Sequence, residues 1–199
     1  MSQAKVLSEK EIKKVVKLIE SKRHSSRNRC MFLATHMSGA RIGEIASLRI
    51  CDVLASDGTI KTEVYLSAEQ TKGSKGRTLY LSEKLRNEIE LFLKTRFKLR
   101  DLLAVTLTDT TRALFTNQKN PNRGFSASTA CQMFHYWYKE AKIEGASSHS
   151  GRRSFITNLA NKGVHVRILQ ELAGHSSISV TQKYIDVNYD KLRVAVEML

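Results

Sequence analysis

One short β-rich stretch interrupts a chain otherwise patterned for helices, and it narrows the fold more than any other feature. After Asp57-Gly58 come TIKTEVYL and, at 77–81, RTLYL, both rich in β-branched and aromatic residues. Between them TKGSKG is punctuated by glycines, as a turn requires. The pattern predicts a small antiparallel hairpin. On its N-terminal side the spacing is helical. LSEKEIKKVVKLIE begins with a capping box from Ser8 to Glu11 and a hydrophobic staple of Leu7 with Ile12, and Ile12, Val15, Val16 and Ile19 form one apolar stripe. SKRHSSRNR (21–29) reads as a basic connector. NRCMFLATHMSGARIGEIASLRICDV predicts a buried helix, a break at Ser38-Gly39, and a second helix carrying Arg41, Glu44, Ile45 and Leu48.

Beyond the hairpin, SEKLRNEIELFLKTRF (82–97) predicts a helix with Ser82 as N-cap and Leu85, Ile89, Phe92 and Leu93 on one face. Residues 98–125 carry no readable period. SASTACQMFHYWYKEAKIE (126–144) is helical again. Its aromatics Phe134, Tyr136, Trp137 and Tyr138 could stack on bases, but at this spacing they read first as core anchors. Three short helices follow: Arg152–Asn161 stopped by Gly163, Val166–Leu172 stopped by Gly174, and Ser179–Asp186. The tail from Tyr189 to Leu199 is one more amphipathic piece. The expected fold is therefore α+β and mainly helical, with a small antiparallel β-sheet, and 199 residues suit one well-buried domain.

Charge points to the partner. Thirty-three Lys and Arg against nineteen Asp and Glu leave +14, and each cation meeting a phosphate releases condensed counterions. The basic residues are spread along the chain and form no basic amphipathic helix with an aromatic face, so nucleic acid is favoured over a membrane surface. Cys30, Cys51 and Cys131 lack metal-ligand spacing and suit a reducing cytoplasm. No HExxH, CxxC, Walker loop or G-x-S-x-G elbow is present, and no metal or other cofactor is expected. What the chain offers instead is a series of cations and imidazoles, Arg41, Lys72, His149, Arg152 and His175, followed by Tyr184.

These residues sit in SGARIGEIASLRICDV, TKGSKGRTLYL and HSGRRSFITNLANKGVHVRILQELAGHSSISVTQKYIDV, and over nearly the whole chain the sequence resembles the tyrosine recombinases, the phage-integrase family. The family order of His-x-x-Arg, Gly-His and nucleophilic tyrosine falls here on His149, Arg152, His175 and Tyr184. The resemblance implies that DNA is cut through a 3′-phosphotyrosyl bond, with strand exchange through a Holliday junction. Attack on a phosphodiester builds negative charge on its non-bridging oxygens, and Arg41 and Arg152 would meet it with forked, permanently charged donors. His149 is the candidate proton acceptor, and His175 would hydrogen-bond a non-bridging oxygen. Lys72 is the better match for the family's hairpin lysine that protonates the leaving oxygen, and Lys75 is the second choice. Glu44, one turn from Arg41, would orient it. Lys75, Arg77, Lys119, Arg123 and Arg153 are candidate DNA contacts.

Two departures stand out. HSGRR has Gly151 where the family often has leucine and Arg153 where it often has a second histidine, and Ala173 replaces a common leucine. Only about forty residues precede Arg41, so no N-terminal core-binding domain is expected in this chain, which is read either as naturally minimal or as a fragment. The chain thus resembles the minimal members, among them the fimbrial phase-switch invertases. The expected organisation is a catalytic domain over 1–188 and a tail over 189–199 that docks on a neighbouring protomer. Expected partners are double-stranded DNA, three further copies in a homotetramer, and an accessory DNA-bending protein. The expected setting is the cytoplasm, on the nucleoid, for a bacterial, phage or plasmid gene. The alternatives are a catalytically silent DNA-binding accessory factor and a type IB topoisomerase or telomere resolvase.

Overall fold

In the computed structural model, α1 (Glu9–Glu20) starts at the capping box read from the sequence: Ser8 Oγ accepts from the Glu11 N–H, and the Glu11 carboxylate accepts from the Ser8 N–H at 3.0 Å. The structure describes residues 3–71, 75–98, 101, 109–117, 120, 123–185, 193, 196 and 197. Lys72, Lys119 and nearly all of the tail lie outside the described residues.

α2 (Ser25–Ser38) runs through the centre of the molecule, and it begins inside the stretch read as a connector. Arg27 explains the difference. Its guanidinium is buried on the Thr116 carbonyl and the Asn28 side chain, so this cation belongs to the interior. Phe32, midway along α2, meets Phe134, Trp137 and Tyr138 of α6 (Ala127–Glu140) with ring centroids 5.8, 6.4 and 6.0 Å away. Those three aromatics are core anchors, each worth roughly 1.5–3 kcal/mol in burial alone. Tyr136 on the same helix is exposed. The helix expected after Gly39 is two short ones, α3 (Ile42–Ala46) and α4 (Ile50–Val53). Between them Arg49 bridges to Ala113, and Leu48 and Leu114 share a backbone hydrogen bond. The intervening chain is claimed by these pairings and cannot continue a helix.

The hairpin forms as read. β1 (Glu63–Leu66) pairs antiparallel with β2 (Arg77–Tyr80), with Val64 opposite Leu79 and Leu66 opposite Arg77. Val64, Leu66 and Leu79 face inward, while Tyr65 and Tyr80 face out. Residues directly opposite share a face, so Arg77 is carried inward beside Leu66. α5 (Glu83–Arg96), capped by Ser82, packs Leu85, Ile89, Phe92 and Leu93 into the main core. α7 (Ser150–Asn161) lies along α2, and α8 (Val166–Ala173) and α9 (Ile178–Gln182) complete the described fold. No described helix is long and apolar enough to cross a membrane.

Candidate active site

The site is assembled where α2 ends. Gly39 stops the helix in the left-handed conformation, at φ 64°. Two residues later Arg41 caps α3, and Glu44 reaches back to it twice. The Arg41 N–H donates to Glu44 Oε2 at 2.7 Å, and Arg41 Nη1 donates to Oε1 at 3.0 Å. Glu44 is only 2% exposed, so this is no surface ion pair. Arg77 arrives from β2 on the other side, donating from Nη2 to Glu44 Oε2 at 2.7 Å. Burial alone would raise the Glu44 pKa. The hydrogen bond and charge of Arg77, with the Arg41 N–H and charge, outweigh burial and hold the carboxyl below its ordinary value. One buried carboxylate thus spaces two guanidiniums.

Arg77 differs from the DNA contact expected of it. Besides Glu44 it donates from Nη1 to the Leu172 carbonyl at 2.9 Å, near the end of α8. Gly174 makes room, since a Cβ there would lie 2.6 Å from Arg77 Cδ. Arg77 is therefore a tie between hairpin, α3 and α8. The alternation Arg77, Leu79, Leu81 along the strand was the sequence signal that it faces inward.

Arg152 enters from α7 and is 3% exposed. Its Nη1 donates to the Gly39 carbonyl at 2.9 Å, while its buried Nη2 has no hydrogen-bond partner among the described residues. Burial first, and then repulsion from Arg41 and Arg77, push its pKa down to about 10, so it stays a cation at neutral pH. Two glycine contacts set its position. A Cβ on Gly151 would lie 2.3 Å from Thr35 Oγ1, and one on Gly39 would lie 2.4 Å from Phe155 Cδ1. Each helix has a notch that the other fills. Gly151, in place of the family's leucine, is thus the residue that lets α7 approach α2. His149 caps α7 one turn before Arg152 and is exposed.

His175 and Tyr184 close the cluster. Their rings stack with centroids 5.4 Å apart and planes 19° apart. His175 is 8% exposed, and burial, then Arg152, Arg41 and Arg77, lower its pKa to about 4. It is a neutral imidazole at physiological pH. Arg153 sits over the Tyr184 ring, 5.9 Å from its centre, and Thr157 Oγ1 donates to the Tyr184 carbonyl at 3.0 Å. The nucleophile candidate is therefore held by α7 and by the histidine of its own chain.

A cleft of about 620 Å³ opens over this cluster, with Arg41, Glu44, Lys75, Arg77 and His175 in its wall. A larger cleft of about 1160 Å³ lies between the start of α2 and the exposed face of α6, lined by Lys22, Arg23, Arg123 and Tyr136 among others. It carries none of the catalytic candidates. The smaller cleft holds Arg41, Lys75, Arg77 and His175 and is the candidate site, although Arg152 and Tyr184 do not line its wall. Arg123 is exposed in the larger one. Among the described residues no three His, Cys, Asp or Glu side chains are grouped to hold a metal. Arg41, Arg152 and His175 together can receive a tetrahedral anion, with a phenol beside it.

Comparison with known proteins bears on this geometry. The family model described as "Phage integrase family" matches residues 5–191. Tyrosine recombinase XerA of Pyrococcus furiosus is 31% identical over 194 residues, which cover 97% of this chain and 61% of that protein. Tyrosine recombinase XerC of Myxococcus xanthus is 30% identical over 167 residues, covering 84% of this chain and 52% of that protein. The chain thus spans between about half and three fifths of these relatives. Among solved structures, that of XerA recombinase superposes with a TM-score of 0.73 at 24% identity, covering 100% of this chain and 66% of that one. The Tn1549 transposon integrase in complex with transposon right-end DNA gives 0.73 at 19% identity, covering 100% and 67%. The catalytic domain of bacteriophage HP1 integrase gives 0.64 at 19% identity, covering 98% and 95%.

Proposed function

The chain belongs to the phage integrase family, and from that premise we propose that it is a site-specific DNA recombinase acting through a covalent 3′-phosphotyrosyl intermediate. The observation that carries the proposal is the buried, unpartnered Nη2 of Arg152 beside Arg41 and His175. A buried charged donor left unpaired is costly, and a phosphoryl oxygen supplies the missing acceptor. In this reading Arg41 and Arg152 hold the non-bridging oxygens, and His175 adds a third donor. Glu44 fixes the spacing of Arg41 and Arg77 and so keeps the oxygen pocket in register.

Tyr184 Oη attacks phosphorus and gives up its proton, with His149 as the proposed acceptor. The bond to the 5′ oxygen breaks, and that oxygen takes a proton from Lys72 or Lys75. Religation reverses the step, with the 5′ hydroxyl of the partner strand attacking and the tyrosine leaving. The phosphotyrosyl ester conserves the energy of the phosphodiester, so the cycle needs neither ATP nor a metal. Tyr184 packs against its own His175, which supports cleavage by a site complete within one chain.

The net charge of +14 and the DNA complex of the Tn1549 integrase support double-stranded DNA as the partner. Lys75, Lys119, Arg123 and Arg153 are the proposed phosphate contacts, with the larger cleft continuing the track. The rest of the proposal is a catalytic domain over 1–188, a homotetramer on paired sites joined through the tail 189–199, an accessory DNA-bending protein, and a cytoplasmic, nucleoid-associated setting. Deleting 189–199 should abolish assembly on paired sites; recombination that survives the deletion removes the tail from the proposal.

The test uses a nicked duplex from DNA flanking the gene, in which cleavage is trapped. An SDS-resistant, protease-sensitive adduct is expected, absent with Tyr184→Phe and slowed a few hundredfold by Arg152→Ala, a loss of about 3–4 kcal/mol. Binding without any adduct would replace the proposal with a silent DNA-binding factor. Relaxation of supercoils at no preferred site would replace it with a topoisomerase.

A further inference from the structure

We propose that Thr181 is a positioning residue that holds His175 in the tautomer carrying its proton on Nε2. Thr181 is fully buried on α9, with its hydroxyl 2.9 Å from His175 Nδ1. The imidazole is fixed from its backbone as well. The His175 N–H donates to the Gln170 carbonyl at 3.1 Å, and Gln170 Nε2 donates to the His175 carbonyl at 3.0 Å. Thr181 also anchors the tyrosine, because its carbonyl accepts the Tyr184 N–H at 3.0 Å. One buried threonine therefore touches His175 through its side chain and Tyr184 through its backbone.

The direction of the hydrogen bond at Nδ1 decides what the ring can do. A neutral imidazole has one N–H and one lone pair, and the partner of one nitrogen selects the state of the other. If Nδ1–H donated to Thr181, a lone pair on Nε2 would face the site and repel a phosphoryl oxygen. With the Thr181 hydroxyl donating to Nδ1, Nε2–H becomes a donor, matching the guanidiniums of Arg41, Arg77 and Arg152 around it. Two acidic residues among those described line the cleft: Glu44 is engaged by Arg41 and Arg77, and Glu171 lies 3.9 Å from Arg167 Nη2. A site meant for an anion thus presents donors from Arg41, Arg152 and His175. This inference rests on the reading of His175 as a phosphoryl contact.

The experiment separates the two. The full chain is labelled with ¹⁵N-histidine, and His175 is assigned by its loss in His175→Gln. At neutral pH the expected spectrum shows a protonated Nε2 and an unprotonated Nδ1. Thr181→Val, nearly isosteric, should give a mixture of tautomers and cleave the nicked duplex severalfold more slowly at unchanged DNA affinity, while Thr181→Ser restores both. A wild-type spectrum with the proton on Nδ1 overturns the proposal by itself, even should the valine variant fold poorly. So does a Thr181→Val spectrum identical to wild type. Mixed tautomers with undiminished cleavage would uphold the lock and instead overturn the phosphoryl contact assigned to His175.

Discussion

Arg152 and Tyr184 belong to one cluster yet rest on very different amounts of protein. Arg152 stands on α7 where it interlocks with α2, the helix that also packs against α1, α3 and α5. Behind α2 lies the main core, from Val15 and Ile19 to Phe134 and Tyr138, while the apolar face of α7, with Ile156, turns to a second cluster. Tyr184 sits in the turn after α9, over this second cluster, whose fully buried members are Ile156, Leu169 and Ala173. Arg41 and Arg152 thus stand at the edge of the main core through α2, whereas His175 and Tyr184 stand on the second cluster. Local opening free energies follow buried apolar contact. The difference teaches a division of labour under the proposed function: the arginines that must be preorganised are fixed, while the proposed nucleophile is carried by a segment that can shift at low cost.

Hydrogen exchange gives the largest expected contrast. Amides in the middle of α2 should exchange only on global unfolding, and those of α8 and α9 orders of magnitude faster. Equal protection in both regions would end the comparison. Next comes the seam itself. Gly151→Ala drives a methyl into Thr35 Oγ1, and relief requires α7 to move away from α2. A loss of about 1–3 kcal/mol in urea unfolding is expected, together with slower cleavage as Arg152 withdraws from Arg41. Stability lost without slower cleavage would show that the seam does not set the arginine spacing.

Acidification touches both regions. Burial lowers His36, beneath Gly151, to about 4, and burial with three guanidiniums lowers His175 to about 4, both from an ordinary 6.5. Between those values the unfolded chain holds protons that the native chain does not, so stability falls as pH drops from about 6.5 toward 4. His36→Gln should remove part of that slope in urea midpoints measured against pH. A slope unchanged by that substitution would mean that His36 does not carry its share.

The candidate residues were legible in the sequence because each sits in a locally recognisable setting: Arg41 after the helix-ending Ser38-Gly39, Arg152 in HSGRR, His175 after a C-capping Gly174, and Tyr184 nine residues on. The helix caps at Ser8 and Ser82 and the glycine-punctuated hairpin were legible for the same reason, as they are decided by residues within about one turn of each other. The connector at 21–29 was misread because a buried Arg27 looks like any other cation in a sequence. Its burial is granted by the Thr116 carbonyl, 89 positions away.

Sequence alone thus determined most of the elements, their order and the candidate donors. Only the tertiary structure decided that Arg77 is a half-buried strut bound to Glu44, that Gly151 and Gly39 are notches across one helix seam, and that Thr181 lies against His175. Periodicity and capping act over three or four residues and leave a local trace. Contacts such as Glu44 with Arg77 exist only once strand register and helix packing bring distant residues together.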